Sequence, residues 1–173
     1  MDKWFLLQMG DIFREKGNIC FRKSKFSEAV DYYMHSVKKY KKFGDSKNPK
    51  SGLAAKNMAG VYVNMGVAYT NLGNFDKALE YYFNALETYE KLKDNYGIAS
   101  CHLGIGNLQY YQGDMDKAIA TLIIASKYYE MADNKSGMAN CFNSLGGINY
   151  SKNDFKAALN FFSKMLKLKK ELD

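Results

Sequence analysis

The stretch of sequence that decides the fold occurs twice, at an offset of 40 residues. The first copy is Gly66-Val67-Ala68-Tyr69-Thr70-Asn71-Leu72-Gly73-Asn74-Phe75-Asp76-Lys77-Ala78, and the second is Gly106-Asn107-Leu108-Gln109-Tyr110-Tyr111-Gln112-Gly113-Asp114-Met115-Asp116-Lys117-Ala118. Both glycines and the Asp-Lys-Ala triplet coincide. A further 40 residues leads to Gly146 and Ala158, and 49 residues back lead to Gly17 and Ala29. The chain is therefore an internal repeat with four copies.

Each copy predicts two helices joined by a tight turn. Apolar residues recur at spacings of three and four from Phe75 to Tyr89, which places them on one side of a helix. The predicted units cover approximately residues 3–43, 49–93, 96–132 and 136–171, and their helices are 3–22, 26–43, 49–72, 75–93, 96–112, 115–132, 136–151 and 154–171. We expect a single all-α domain over residues 1–173.

The turns and helix starts carry their own signals. Gly73 and Gly113 suit a tight turn between paired helices. We expect the side chains that follow a turn to cap exposed backbone N–H groups of the second helix; these are Asn74, Asp114 and Asp154. In the longer spacer between copies one and two, Asn48 as cap and Pro49 in the first turn predict the start of a long helix.

A glycine recurs in the middle of every first helix, where it costs about 1 kcal/mol against alanine. The four are Gly17, Gly66, Gly106 and Gly146. A repeated cost of this kind indicates a close approach of the paired helix, which leaves no room for a side chain. We expect the small residues of the second helices to lie opposite these glycines: Ala29, Ala78, Ala118 and Ala158.

The net charge of +7 is concentrated at the two ends of the chain. Residues 1–50 hold 12 basic and 6 acidic side chains, residues 51–151 hold 7 and 9, and residues 152–173 hold 6 and 3. A basic end can attract an acidic peptide, an acidic protein face or nucleic acid. The densest cluster, residues 38–42, is typical of the solvated outer face and end of a helix.

Compartment and chemistry follow mainly from what the sequence lacks. No apolar run is long enough for a membrane helix, and the first residues are too acidic for a secretory signal. Cys20, Cys101 and Cys141 contain no CxxC pair, so we expect packed thiols in a reducing cytoplasm rather than disulfides or a zinc site. His35 and His102 are far apart in sequence, and no catalytic motif is present. We predict no enzymatic activity, no cofactor and no metal.

This pattern resembles the tetratricopeptide repeat family. The match is best in the second copy, which supplies Tyr62, Met65-Gly66, Tyr69, Gly73, Phe75, Ala78, Tyr82 and Ala85 at the positions of the family consensus. The family's proline near the end of the second helix is absent; Lys41, Glu90, Glu130 and Lys170 stand there instead. The longer period resembles a longer-helix subclass with a 40-residue period, found in signalling adaptors and bacterial regulators. The resemblance implies a right-handed α-solenoid of four helix-turn-helix units.

In the resembling family the first helices line a concave groove that binds peptides or helices of other proteins. The positions carried over from that resemblance are Arg14, Asn18, Phe21, Arg22, Val63, Asn64, Val67, Thr70, Asn71, Leu103, Asn107, Tyr110, Tyr111, Asn140, Asn143, Tyr150 and Ser151. The strongest candidates for partner contact are Arg14, Asn18, Arg22, Asn64, Thr70, Asn71, Asn107, Tyr110, Tyr111 and Asn143. Asparagine can pair with a peptide backbone as donor and acceptor, and tyrosine offers a large area with one polar tip.

The expected function is therefore a non-catalytic scaffold, adaptor or sensory region that binds a protein or peptide ligand, with an acidic ligand suited to the basic ends. Two alternatives stay open. The basic ends could bind nucleic acid. Alternatively, Arg14, Asn18 and Asn64 could bind a chaperone's C-terminal carboxylate, although Ser100 and Gly104 stand where such a clamp needs basic side chains. The last helix is apolar without a following cap, which predicts either a fragment of a longer protein or a homo-oligomer formed through that helix.

Overall fold

A computed structural model describes residues 3–44 and 51–172 of the chain, and those residues form helices without a strand. In chain order the helices are α1 (Lys3–Arg22), α2 (Phe26–Gly44), α3 (Ser51–Asn71), α4 (Phe75–Leu92), α5 (Asn95–Tyr111), α6 (Met115–Met131), α7 (Lys135–Ser151) and α8 (Phe155–Lys170). The all-α fold of four helix-turn-helix units is confirmed, with helix ends within two residues of the predicted ones. The predicted cap at Asn48 and first turn at Pro49 lie outside the described residues.

The chain divides into two compact units, Met1–Lys93 and Asp94–Asp173. In the first unit α1 packs on α2, α2 on α3, and α3 on α4. Its core combines large side chains such as Tyr33, Phe43 and Met65 with small ones such as Ala29 and Ala68. The second unit repeats this order from α5 to α8. The single domain over residues 1–173 stays a prediction.

The mid-helix glycines are contact points between paired helices, as the sequence predicts, but the partner side chain is different. A Cβ added at Gly66 would lie 2.6 Å from Cε1 of Tyr82, and one at Gly106 would lie 2.8 Å from Cγ of Leu122. Tyr33 faces Gly17 and Phe162 faces Gly146 in the same way. The side chains in the notches come from a residue one turn later along the second helix than the predicted alanines, and at Gly106 the carbonyl oxygen of Ala118 also lies 3.4 Å from an added Cβ. The alanines are nevertheless buried: Ala29, Ala78, Ala118 and Ala158.

Turns between paired helices use a left-handed residue. Gly73 and Gly113 have φ of +73° and +88°, as expected for this tight turn, and Ser24 and Asn153 adopt φ of 58° and 61° in the first and last copies. The non-glycine residues accept a conformation that costs them roughly 1 kcal/mol or more. The repeat therefore imposes the turn geometry even where glycine is absent.

Two of the three predicted caps form. The side chain of Asn74 accepts from the backbone N–H of Lys77 at 3.2 Å, and that of Asp154 accepts from Ala157 at 3.0 Å. The predicted cap at Asp114 is wrong, since this side chain makes no capping hydrogen bond. Its carboxylate instead accepts from the ammonium group of Lys117 at 2.9 Å.

The cysteines pack as small apolar residues. Cys101 and Cys141 are buried at equivalent positions of α5 and α7, and Cys20 is partly buried. Burial raises the pKa of the Cys141 thiol to about 12, which keeps it protonated at neutral pH. None of the helices over the described ranges is both long and apolar enough to cross a bilayer.

Candidate functional site

A hydrogen-bonded chain of three side chains crosses the first unit. The hydroxyl of Tyr33 in α2 donates to Oδ1 of Asn18 in α1 at 2.9 Å, and Nδ2 of Asn64 in α3 donates to the same oxygen at 3.1 Å. Nδ2 of Asn18 donates to Glu15 at 3.3 Å. These bonds fix the amide orientation of both asparagines. Within the described residues, Oδ1 of Asn64 accepts no recorded hydrogen bond and is available to a ligand.

A second, similar chain lies seven residues earlier on α1 and α3 and seven residues later on α2. The hydroxyl of Tyr40 donates to Oδ1 of Asp11 at 2.6 Å, and Nδ2 of Asn57 donates to that oxygen at 3.4 Å. Arg14 forms an ion pair with the Asp11 carboxylate at 3.1 Å. Sequence analysis missed Asp11, Tyr40 and Asn57. The signal that would have found them is the repeated seven-residue spacing from Asp11 to Asn18 and from Asn57 to Asn64, which is two helical turns.

A pocket of about 310 Å³ opens beside the first of these chains. Its lining consists of Asn18, Phe21, Arg22, Tyr33, Asn64 and Val67. All of these except Tyr33 are positions that the sequence analysis assigned to the groove. Phe21 and Val67 supply an apolar surface, the two asparagines supply fixed amides, and the exposed Arg22 supplies a positive charge at the same site. The pocket can therefore accept an apolar side chain next to backbone or carboxylate groups.

The other predicted residues of the first unit lie elsewhere on its helices. Arg14 belongs to the second hydrogen-bonded chain and is compensated by two carboxylates, Asp11 at 3.1 Å and Glu15 at 3.3 Å. Thr70 donates to the carbonyl of Gly66 at 2.9 Å, and Asn71 donates through Nδ2 to the carbonyl of Val67 at 2.8 Å. Thr70 and Asn71 are absent from the lining of the pocket, and both satisfy their own helix.

In the second unit the structure connects two of the four predicted residues. The rings of Tyr110 and Tyr111 lie 6.0 Å apart at the end of α5, and Tyr110 shares a hydrogen bond of 3.0 Å with Oγ of Ser151. Tyr111 is 65% exposed. Asn107 is half-buried on α5, and Asn143 is exposed on α7. These residues offer an aromatic edge rather than a walled pocket.

A larger groove of about 880 Å³ lies in the first unit among α2, α3 and α4. Its lining is Asp31, Met34, His35, Val37, Lys38, Lys41, Lys42, Tyr62, Met65, Glu80, Tyr81 and Asn84. From sequence alone, the lysines are typical only of a solvated helix end. Their helical spacing from Asp31 through Met34 and Lys38 to Lys42 indicates one shared face of α2. The groove combines a basic end with an apolar lining and two carboxylates.

The histidines pack against aromatic rings in both units. His102 stacks on Tyr128 with ring centroids 6.0 Å apart, as its place at an aromatic position of the repeat predicts. His35 stacks on Phe13 at 5.3 Å. Across residues 3–44 and 51–172, no three His, Cys, Asp or Glu side chains are grouped to hold a metal ion.

Comparison with known families matches residues 57–123 to the tetratricopeptide repeat model. Over these residues the chain carries tetratricopeptide repeats. The family resemblance predicted from sequence is confirmed, and the matched segment includes the candidate residues Asn64, Thr70, Asn71, Asn107, Tyr110 and Tyr111. The family is described by a structural repeat and not by a reaction. No curated protein sequence matches the chain.

Solved structures share this all-helical fold at low sequence identity. Aspartyl phosphate phosphatase F from Bacillus subtilis superposes with a TM-score of 0.84 and 13% identity over 99% of this chain and 42% of its own. BtubC from P. vanneervenii gives a TM-score of 0.74 and 19% identity over 94% and 64% of the two chains. The Rap conjugation gene regulator of plasmid pLS20, solved with the Phr* peptide, gives 0.73 and 20% over 95% and 42%. This chain thus spans between about two fifths and two thirds of their length, and the likeness establishes the fold.

Proposed function

We propose that the chain is a non-catalytic protein-interaction module that binds a peptide or helix of a partner on its first helices. The observation that carries the proposal is the pocket beside Asn18 and Asn64. Its amides are oriented in advance by the Tyr33 hydroxyl, so binding loses little side-chain freedom there. Free acceptor and donor positions on Asn64 match the N–H and C=O groups of a peptide backbone.

The pocket also favours an acidic partner. Arg22 is exposed at its edge, whereas Arg14 is already paired with Asp11. A carboxylate on the ligand can make a charge-assisted hydrogen bond to Arg22, which is stronger than a neutral one. A chaperone-tail clamp centred on Arg14 would first have to displace the Asp11 carboxylate. We therefore assign the acidic contact to Arg22.

Support for a peptide ligand also comes from the neighbour that was solved with the Phr* peptide, because it shares the fold. Several features of the larger groove weigh against nucleic acid at the basic lysines. Asp31 and Glu80 line the same groove as Lys38, and Met34, Val37 and Met65 give it an apolar surface. The two carboxylates would repel a phosphate backbone there, and the apolar side chains would neutralise none of its charge. A cytoplasmic location is part of the proposal, supported by three free cysteines.

The test is a titration with synthetic peptides of about eight residues, in acidic and amidated neutral series, followed by calorimetry. We expect an acidic peptide to bind and Arg22→Glu to weaken it by about tenfold or more. Lys127→Glu is the matched control, since it makes the same charge change at an exposed site on α6. Binding that is absent from both series, or equally weakened by the two variants, would contradict the pocket as the site.

A gel shift with a single-stranded oligonucleotide tests the alternative. Binding that persists at about 150 mM salt and falls steeply above it would favour nucleic acid. We expect no shifted band at that salt concentration.

A further inference from the structure

Two isoleucines on α1 are exposed at positions that are buried in every other first helix. Ile12 and Ile19 are 49% and 44% exposed. The repeat offsets of 49 and 40 residues place Val61, Cys101 and Cys141 at the position of Ile12, and these three are fully buried. The equivalents of Ile19 are also buried: Ala68, Leu108 and Ile148. The outer face of α1 is therefore built like an internal repeat interface.

Within each unit, the second helix of the preceding repeat covers these positions. In the first unit Val61 and Ala68 of α3 share an apolar cluster with Val30 and Val37 of α2. In the second unit Cys141 of α7 clusters with Ala125 and Tyr129 of α6. Ile148 of α7 clusters in turn with Leu122 and Ile119 of α6. The natural partner of the α1 face is thus the outer face of a second helix.

Such a face is exposed on α8. Leu159 and Leu166 are 69% and 53% exposed. Their repeat equivalents in α2 are Val30, which is buried, and Val37, which is partly buried in the cluster with α3. Ile119, the α6 equivalent of Leu159, is partly buried against α7. The last helix therefore exposes apolar side chains at positions that are covered in the other second helices.

One further pair of positions changes together at the two ends. Tyr129 of α6 fills the notch at Gly137 of α7. The repeat offsets put Lys169 of α8 at the position of Tyr129 and Gln8 of α1 at the position of Gly137. A lysine at the position of Tyr129 brings no ring to accommodate, so a helix that faces α8 needs no glycine at the position of Gln8. Both Lys169 and Gln8 are exposed.

We propose that α8 of one copy packs on α1 of a second copy, in the register that α2 takes on α3 and α6 takes on α7. The proposal rests on the continuity of this contact with the repeat interfaces inside each unit and goes beyond the peptide site. Leu159 and Leu166 would meet Ile12 and Ile19, which removes two exposed apolar faces from water. The contact is head-to-tail, so an open assembly keeps one unused face at each of its two ends.

Complementary variants test the contact on the 173-residue chain. Ile12→Glu combined with Ile19→Glu removes the α1 face, and Leu159→Glu combined with Leu166→Glu removes the α8 face. All four side chains are exposed in the single chain, so the fold is retained, which circular dichroism checks. Phe83→Glu is the control, since Phe83 is exposed on α4 and belongs to neither face. Light scattering after size-exclusion chromatography gives the masses.

We expect the unchanged chain and Phe83→Glu to form species that grow with concentration beyond a dimer. Each double variant alone should stay at the monomer mass of 19.7 kDa. An equimolar mixture of the two should give one heterodimer at twice that mass, because one intact α8 face meets one intact α1 face. A wild-type chain that stays monomeric at every concentration would overturn the proposal. That result is expected if other protein segments, and not a second copy, cover these faces. A double variant that still dimerises with itself would overturn it too, since the contact would then join like faces.

Discussion

The hydroxyl of Tyr33 donates a hydrogen bond of 2.9 Å to Oδ1 of Asn18, from a ring that is almost completely buried. The ring packs into the notch at Gly17, so its position is set by the contact between α1 and α2. The packing that holds the two helices together therefore also orients the amide that faces the pocket. Stability and recognition share one side chain here.

Tyr33→Phe separates these two roles. The ring still fills the notch, but Asn18 loses a donor, and we expect a stability loss of about 1 kcal/mol. We also expect affinity for an acidic peptide to fall about threefold to tenfold, because the Asn18 amide is less well oriented. Urea unfolding and calorimetry measure the two effects. Tyr96→Phe, on an exposed ring of α5, should change neither, and equal losses in both variants would remove the special role of Tyr33.

Opposite responses are expected from alanine at two helical glycines. At Gly66 the added Cβ would lie 2.6 Å from the buried Tyr82 ring, and overpacking of this kind costs about 1–3 kcal/mol. At Gly147 nothing lies within 4 Å, so Gly147→Ala should gain up to about 1 kcal/mol from helix propensity. Thermal unfolding should show a lower midpoint for Gly66→Ala and a higher one for Gly147→Ala. A gain at both positions would mean that the Tyr82 ring can move aside.

Thiol labelling should discriminate the three cysteines. Cys101 and Cys141 are buried, and the pKa of the Cys141 thiol is raised to about 12 by burial, so its thiolate is scarce at about pH 8. Cys20 is only partly buried. We expect a maleimide to modify Cys20 first in the native protein and all three in urea, as mass spectrometry of the labelled peptides would show. Fast native labelling of Cys141 would indicate local opening of α7.

The fold was predictable from sequence because the repeat samples each position several times. Buried Ala78 and Ala118 recur with the same spacing to Gly73 and Gly113, so helix limits, turns and core faces follow from one alignment. The partner of the notch was not predictable, because both Ala78 and Tyr82 lie on the buried side of α4. Only the crossing of the two helices decides that Tyr82 reaches Gly66.

The candidate site was predicted in part. Family positions identified Asn18 and Asn64, and both line the pocket of the first unit. The hydroxyl that donates to Asn18 belongs to Tyr33, whose ring is in the core. The spacing of apolar residues places the ring in the core but does not predict the position of its hydroxyl. Asp114 shows the same limit at a helix start, because a neighbouring Lys117 competes with the backbone for its carboxylate.

Alkaline pH should destabilise the protein through its buried phenols and thiol. Burial raises the pKa of Tyr33 and of Tyr129 to about 12, and it also raises the pKa of Tyr40 and Cys141. Above about pH 9 the unfolded chain releases these protons before the folded chain does. The contribution of these groups to the free energy of unfolding is therefore fully present below about pH 9 and is lost as the pH rises to about 12.

The measurement is the urea midpoint of unfolding at about pH 8 and about pH 11. We expect a lower midpoint at the higher pH, and Tyr129→Phe should reduce that difference because one raised phenol pKa is removed. Tyr129→Phe also loses the 3.0 Å hydrogen bond between the Tyr129 hydroxyl and Ser100. The resulting loss of stability is the same at both pH values and cancels in the comparison. Tyr150→Phe, on an exposed ring of α7, is the matched control and should leave the difference unchanged. A midpoint that does not move between the two pH values would mean that these hydroxyls reach water in the native state.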